Sequence, residues 1–231
     1  MGLHDQGFEI IELPPGGREL MQSFQDLRFD EYAGNSRFRR FSQYKMTRQG
    51  ERWAFERLPH RPYMTFSKYN PVAGGIERRY APLEADFTPY LAIAADAFGL
   101  DASCTWQINV HQLRVVAKRG EPGIVVPEGP HQDGHEYVFV GVFDRHRIRG
   151  GELRLIPLAD KHAEPFFRTV VPAGRGVLMK DLEMWHDVSA IDADDGAEVG
   201  YRDTLIAPFS KWVDRWYGEE FESRALRDAP P

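Results

Sequence analysis

The chain has 231 residues but only one cysteine, Cys104, so no disulfide can form within it. A disulfide framework needs several cysteines, and its absence favours a reducing compartment such as the cytosol. A lone cysteine with a distant histidine can belong to a thiol enzyme. More commonly, however, such a residue packs as a small hydrophobe.

Long apolar runs are also missing from the sequence. No window approaches the length of about 18 apolar residues that a membrane-spanning helix needs, so no membrane association is expected. The stretch MGLHDQGFEIIELPPGG has acidic residues early and no apolar run of signal-peptide length. We therefore expect a cytoplasmic protein.

The sequence has no basic excess. It contains 29 Lys and Arg against 35 Asp and Glu, which gives a net charge of -6. Without a basic stripe, nucleic acid is not an expected partner. The densest basic group comprises Arg37, Arg39 and Arg40 in RFRRF. It is expected to be a solvated face, although arginines beside aromatic residues can also contact phosphate.

Hydrophobic residues, by contrast, make up 42% of the chain, which is enough for one sizeable core. With no linker in view, residues 1–231 are expected to form a single domain. A mixed N-terminal half, 1–100, is expected to carry two helices, at 19–32 and 82–98. Pro89 would interrupt the second helix, and the alternative is a helix that begins only there. A closing helix is expected over 212–225.

Short β-rich segments separated by Gly, Pro or Asp dominate the chain after Gly99. They lie at 104–117, 136–143, 152–156, 167–171, 176–180 and 202–209. This spacing predicts a sandwich or barrel. We therefore expect a mainly β protein with flanking helices, whose jelly-roll core covers 101–215.

A His-x-Asp pair, His131 and Asp133, stands in EGPHQDGHEY just before the apolar run VFVGVF. On an extended strand, side chains two residues apart point the same way, so the pair can hold a metal ion. A polar loop with a satisfied imidazole is the plainer alternative. His186 in KDLEMWHDVS is the candidate third ligand, or else a surface histidine.

Two histidines and one carboxylate make the facial triad of non-haem Fe(II) oxygenases. Such a triad leaves three coordination positions open for a co-substrate and dioxygen, whereas four protein ligands close a structural zinc site. His135 would crowd these positions as a fourth ligand. It is therefore expected to be a pocket or surface residue.

A co-substrate anchor is the next requirement, because such iron sites often use 2-oxoglutarate. A distal carboxylate is best held by the planar fork of an arginine. Arg202 and Thr204 in YRDTLIAPF share one strand face and can form this clamp. An edge-strand Arg202 paired with Asp203 is the alternative.

Two residues of the segment WQINVHQLRVV are candidates for contacting a substrate. Arg114 can reach a substrate carboxylate, and Gln112 shares its strand face. The alternative is that Arg114 is an arginine satisfied within the strand, with Gln112 beside it.

The order of the motifs resembles that of the Fe(II)- and 2-oxoglutarate-dependent dioxygenases. The motifs are HxDG (131–134), RGGEL (149–153), GxGVL (174–178), Dx4HxV (181–188) and RDTL (202–205). More narrowly, PEGPHQDG (127–134) and the RD pair (202–203) resemble the bacterial group that includes L-isoleucine 4-hydroxylase. The resemblance covers roughly residues 105–210.

This resemblance implies a cupin-like double-stranded β-helix. It makes His131, Asp133 and His186 the iron ligands and Arg202 the 2-oxoglutarate clamp. The narrower group further implies hydroxylation of a free aliphatic L-amino acid with dioxygen. One departure is Leu153, where that group is expected to have Ser, at a position that can line the pocket.

Two other functions stay open on the sequence. One is a cupin-type metal enzyme that does not use 2-oxoglutarate. Such sites more often carry His-x-His and an extra Glu, and the chain has no His-x-His. The other is a metal-free jelly-roll binding module, in which the three candidate ligands and Arg202 would be a coincidence.

Overall fold

The computed structural model describes residues 2–34 and 36–228. The helices are α1 (Leu3–Gln6), α2 (Arg18–Ser23), α3 (Thr88–Phe98) and α4 (Glu219–Arg227), with 3-10 turns at Phe24–Asp26, Asp181–Glu183 and Trp212–Asp214. The strands are β1 (Phe8–Glu12), β2 (Arg28–Phe29), β3 (Arg37–Gln49), β4 (Arg52–Arg57), β5 (Trp106–Lys118), β6 (Tyr137–His146), β7 (Ile148–Gly150), β8 (Glu152–Pro157), β9 (Phe167–Val170), β10 (Arg175–Met179), β11 (Met184–Val188), β12 (Ile191–Ala193) and β13 (Val199–Lys211). None of the helices described is long and apolar enough to cross a membrane.

Antiparallel sheets form the body of the molecule. The major sheet has eight strands in the order β1-β10-β6-β13-β5-β3-β2, with β4 also paired to β3. A three-stranded sheet, β11-β8-β9, and a two-stranded sheet, β12-β7, accompany it. The predicted mainly β, jelly-roll fold is confirmed. Strands from both predicted halves of the chain lie in the major sheet, since β3 pairs with β5 and β1 pairs with β10.

The two faces of β5 differ in what covers them, because successive side chains of a strand point to opposite faces. Ile108 and Val110 belong to an apolar core that also contains the buried residues of α3. Leu113 and Val115 belong to a second cluster, with Ile191 of β12. We call the α3 side of the major sheet its outer face and the other side its inner face.

The predicted helix over 82–98 begins later than its first expected residue. α3 starts at Thr88 with Pro89 in its first turn and ends at Gly99, whose φ of 64° is left-handed. Proline has no amide hydrogen to donate and fits only the first turn of a helix. The expected alternative, a helix that begins at Pro89, is therefore the one observed.

The other two helix predictions were too long. α2 ends at Ser23, and Phe24 and Leu27 reach the apolar core from the 3-10 turn and the extended segment that follow. The closing helix begins only at Glu219, because Gly218, with a φ of 93°, interrupts the chain before it. Trp216, before this break, and Phe221, after it, still stack against each other.

Candidate metal centre and its cavity

His131 and His186 are joined by one antiparallel bridge between the loop before β6 and strand β11. Each backbone N–H donates to the carbonyl of the other residue, with both N···O distances at 3.0 Å. The two imidazole rings are consequently only 4.3 Å apart between centroids. Two candidate ligands that are distant in sequence thus become neighbours through backbone pairing.

Asp133 completes a cluster with these two histidines. Its Oδ1 lies 3.6 Å from His131 Nε2, and its Oδ2 lies 3.8 Å from His186 Nε2. One ligand atom from each of the three residues falls within 4.8 Å of the others. The structure therefore brings the three predicted residues together, although 131–133 form a loop and not the strand considered from the sequence.

The other ring nitrogens show how the imidazoles are held. His131 Nδ1 forms a hydrogen bond of 3.0 Å with the carbonyl oxygen of Gly129, whereas His186 Nδ1 lies 3.4 Å from Asp181 Oδ1 without forming one. Metal-binding histidines commonly use a hydrogen bond like that of His131 to direct the other nitrogen at the metal. Two imidazole nitrogens and one carboxylate at this spacing fit Fe(II).

Asp181 holds the loop that carries the cluster. Its buried carboxylate accepts hydrogen bonds from the backbone N–H groups of Asp133 (3.0 Å), Gly134 (2.7 Å) and His135 (3.2 Å). Gly134 has a φ of 86°, and a Cβ there would come within 2.4 Å of the Tyr69 ring. Asp181 is the first residue of the motif Dx4HxV, and its role in holding the loop is visible only in the structure.

The charges in the cluster shift its pKa values in opposite directions. Burial opposes protonation of His131, yet the carboxylates of Asp133 and Glu128 raise its pKa to about 9. Burial and the charge of His131 lower the pKa of His186 to about 3. Burial disfavours the charged form of Asp133, but the two imidazoles hold its pKa below the usual range.

A cavity that opens to solvent begins at this cluster. Apolar side chains, among them Val140, Val188 and Ile206, form part of its wall. Four arginines also line it, and they are Arg37, Arg39, Arg78 and Arg202.

Arg202 is a buried cation on the inner face of β13, 3% exposed. In the part of the chain that the structure describes, it forms no ion pair, and its buried Nε has no hydrogen-bond partner. Burial and the nearby charge of Arg145 lower its pKa to about 10, so it stays charged at neutral pH. A carboxylate ligand such as the distal end of 2-oxoglutarate would supply the missing partner. Thr204 is fully buried but is not among the residues that line the cavity.

Arg114 and Gln112, the candidate substrate contacts, lie on the outer face and do not line the cavity. Arg114 Nε and Nη2 donate to the two carboxylate oxygens of Asp203, each at 2.7 Å. Gln112 donates to Ser23 Oγ at 2.7 Å. The structure thus matches the alternative of an arginine satisfied within the strand, and Asp203 is the partner of Arg114 and not of Arg202.

The expectation that RFRRF forms a solvated face was wrong. Arg37, Arg39 and Arg40 are all buried, at 5–6% exposure. Arg37 and Arg39 line the cavity and share the carboxylate of Asp30, at 3.9 Å and 3.3 Å. Arg40 alternates to the other face and pairs with Glu84 at 2.8 Å. Their period of two was the signal that the arginines divide between two faces.

Three other residues considered from the sequence do not line the cavity. Leu153 packs in an apolar core cluster. His135 is 1% exposed, lies 2.7 Å from Ser210 Oγ and packs against Trp216, so the expectation of a pocket or surface residue was wrong. Cys104 is half-buried, with its Sγ 3.4 Å from Asp101 Oδ2.

Comparison with known protein families identifies a family for this chain. A family model described as 2OG-Fe dioxygenase matches residues 21–207, which is most of the chain and includes the whole cluster and Arg202. No curated protein matches the chain significantly.

Solved structures resemble the chain over nearly its whole length. A bsmA homolog from Methylobium petroleophilum PM1 is 25% identical, with a TM-score of 0.75, over 91% of this chain and 90% of that one. IDO from Bacillus thuringiensis is 17% identical, with a TM-score of 0.68, over 91% and 92%. The Fe(II)/(alpha)ketoglutarate-dependent dioxygenase TqaL is 15% identical, with a TM-score of 0.65, over 95% and 87%. At such identities the last two likenesses show the fold alone.

Proposed function

Because this chain belongs to the 2OG-Fe dioxygenase family, we propose that His131, Asp133 and His186 bind its iron and that Arg202 binds its 2-oxoglutarate. The chain is an Fe(II)- and 2-oxoglutarate-dependent dioxygenase, which acts on a small molecule with dioxygen. Family membership sets aside the metal-free binding module and the cupin-type enzyme without 2-oxoglutarate. The observation that carries the residue assignment is one cavity that joins the cluster to an unpartnered buried arginine.

Iron and 2-oxoglutarate, when bound, supply the dioxygen activation that oxidises a substrate C–H bond. The chain's own residues have separate tasks around that chemistry. The cluster presents its three ligand atoms together, so the remaining coordination positions are left to small molecules. The apolar wall of Val140, Val188 and Ile206 limits the water around the reacting groups.

Arg202 suits a carboxylate because its guanidinium is planar and donates through two parallel N–H groups. Arg202 is already buried in the folded protein, so its guanidinium loses its water on folding and not on ligand binding. A carboxylate that enters the cavity therefore meets a desolvated cation, against which its charge interacts strongly.

The substrate we propose is a free aliphatic L-amino acid, and the product is its side-chain hydroxyl derivative. Support comes from the resemblance of PEGPHQDG and the RD pair to the L-isoleucine 4-hydroxylase group. The cavity offers further support, since it combines apolar walls with charged side chains of both signs. Leu153, the departure from that group, packs in an apolar core cluster and does not line the cavity.

Mass spectrometry of reactions with Fe(II), 2-oxoglutarate, ascorbate and each amino acid tests this function. We expect the gain of one oxygen on isoleucine, leucine or methionine, with succinate formed in step. The matched control is Asp133→Ala, which should form neither product. Succinate at the same uncoupled rate with every amino acid would refute the substrate class and leave the dioxygenase assignment intact.

A further inference from the structure

The cavity holds a second arginine without an acidic partner. Arg78 is 5% exposed and lines the cavity, with its guanidinium 4.4 Å from the centre of the Tyr63 ring. Within residues 2–34 and 36–228 it forms no ion pair, and its Nε and Nη2 are buried without a hydrogen bond. A buried cation without a counter-charge is costly. Arg78 therefore indicates an anionic ligand.

The other cavity arginines differ from Arg78 in their partners. Arg37 and Arg39 both lie near the buried carboxylate of Asp30. Arg202 is assigned to 2-oxoglutarate by the proposed function. Arg78 is thus the cavity arginine, other than Arg202, that has no acidic partner in the described chain.

A carboxylate with a free oxygen lies on the cavity wall beside the metal centre. Glu128 has a side chain that is 11% exposed, and its Oε1 lies 4.0 Å from His131 Nε2. The same Oε1 accepts a hydrogen bond from Asn70 Nδ2 at 3.2 Å. Its Oε2 is buried and has no partner among the described residues. A positively charged group bound to this oxygen would lie next to the cluster.

We propose that Arg78 binds the carboxylate and Glu128 the ammonium group of an α-amino acid substrate. This assignment rests on the proposed function and gives its substrate class a structural basis. Arg78 and Glu128 line one cavity but form no ion pair with each other, so both charges remain available. Val72, Ala73 and Val125 line the same cavity and provide apolar contacts for the substrate side chain.

Ligands of other charge fit this pair less well. A dicarboxylate would place its second negative charge against Glu128, and a simple amine would leave Arg78 unpaired. Sites that hold a ligand through buried polar groups reject analogues that leave those groups unsatisfied. The pair therefore favours a ligand that carries one negative and one positive charge.

Binding to the wild-type protein gives the first test. Protein loaded with Mn(II) and 2-oxoglutarate is titrated by calorimetry, without oxygen, with isoleucine, leucine, valine and methionine. The tightest of these is then compared with its acid lacking the amine and its amine lacking the carboxylate. Each analogue should bind roughly 10- to 100-fold more weakly, because one buried charge loses a charge-assisted hydrogen bond.

Two variants assign each end of the ligand. Glu128→Gln should weaken binding of the amino acid, so that it binds little more tightly than the acid that lacks the amine. Arg78→Gln should also weaken binding of the amino acid, so that it binds little more tightly than the amine that lacks the carboxylate. A merely structural role would weaken all three ligands alike. Arg119→Gln, at an exposed arginine paired with Glu198, is the matched control and should change none of these constants.

The outcomes separate this assignment from the proposed function. If the wild type binds 2-oxoglutarate but does not distinguish the amino acid from its two analogues, the zwitterion pair is refuted and the iron and 2-oxoglutarate assignments stand. Absence of 2-oxoglutarate binding to the wild type would overturn the proposed function itself. Should Arg78→Gln fail to fold, the analogue series on the wild type still decides.

Discussion

Arg202 and Asp203 are consecutive residues of β13, yet the two faces of the major sheet give them opposite surroundings. Asp203, on the outer face, accepts two hydrogen bonds of 2.7 Å from Arg114, which also donates to Gln25 at 2.7 Å. Arg202, on the inner face, is as buried as that pair but has no acidic partner in the described chain.

This difference in partners distinguishes an arginine that stabilises the fold, Arg114, from one that is available to bind a ligand, Arg202. A buried ion pair with complete hydrogen bonding needs no further partner. Removing one member leaves the other charge buried without compensation, which is costly. A buried cation without a partner gains its counter-charge only when an anion binds. The inner face should therefore control ligand binding and the outer face should control stability.

The largest expected effect is loss of turnover when the metal cluster on the cavity side is altered. His131→Ala or Asp133→Ala removes a ligand atom from the cluster, so 2-oxoglutarate turnover should fall to background. The chain should stay folded, because both side chains lie on the wall of the solvent-open cavity. Succinate formation with added Fe(II) and a thermal unfolding curve measure the two effects. Wild-type turnover in either variant would refute the ligand assignment.

Breaking the outer-face pair should destabilise the protein most. Arg114→Met leaves the buried Asp203 carboxylate without its partner, so the free energy of unfolding should fall by about 3–5 kcal/mol. Urea unfolding monitored by circular dichroism measures this change. Arg119→Met, which removes one member of an exposed pair, is the control and should have little effect. Unaltered stability in Arg114→Met would mean that the comparison between the faces does not hold.

The inner-face arginine should give the complementary result. Arg202→Lys keeps the charge but loses the planar fork, so 2-oxoglutarate binding should weaken by roughly 1.5–3 kcal/mol. Calorimetric titration of the Mn(II)-loaded protein measures this loss. Arg114→Lys, the same change on the outer face, should leave the 2-oxoglutarate dissociation constant as in the wild type. An unchanged constant in Arg202→Lys would place the clamp elsewhere.

For a change of one pH unit, the smallest effect concerns protons at the metal centre. His131 has a pKa raised to about 9, so below that pH a metal ion must displace its proton, whereas His186, with a pKa lowered to about 3, is already neutral. Metal affinity should therefore rise about tenfold per pH unit between roughly pH 5 and 9, with one proton released. Titrations in buffers of different ionisation enthalpy count this proton. An affinity that does not vary over this range would contradict ligation by His131.

Much of the architecture was accessible from local patterns. Alternating apolar segments bounded by Gly, Pro and Asp predicted the strands, because a half-buried sheet requires that alternation. The iron ligands and Arg202 were proposed from residue chemistry and motif order, and the structure places all four on one cavity. The helices were predicted less well, because α2 ends at Ser23 and α4 begins only after Gly218, although the apolar patterns continue across both points.

By itself, the sequence determined which residues share a strand face. Gln112 and Arg114 lie two apart, as do Arg37 and Arg39, and each pair does point one way. Only the tertiary structure decided which face meets the cavity. Packing of α2 and its following turn against β5 covers Gln112 and Arg114, whereas the inner face of β3 opens to the cavity. The alternation of side chains along a strand groups residues by face but does not say which face will be covered. A strand's two faces therefore acquire different roles only when distant segments cover one of them.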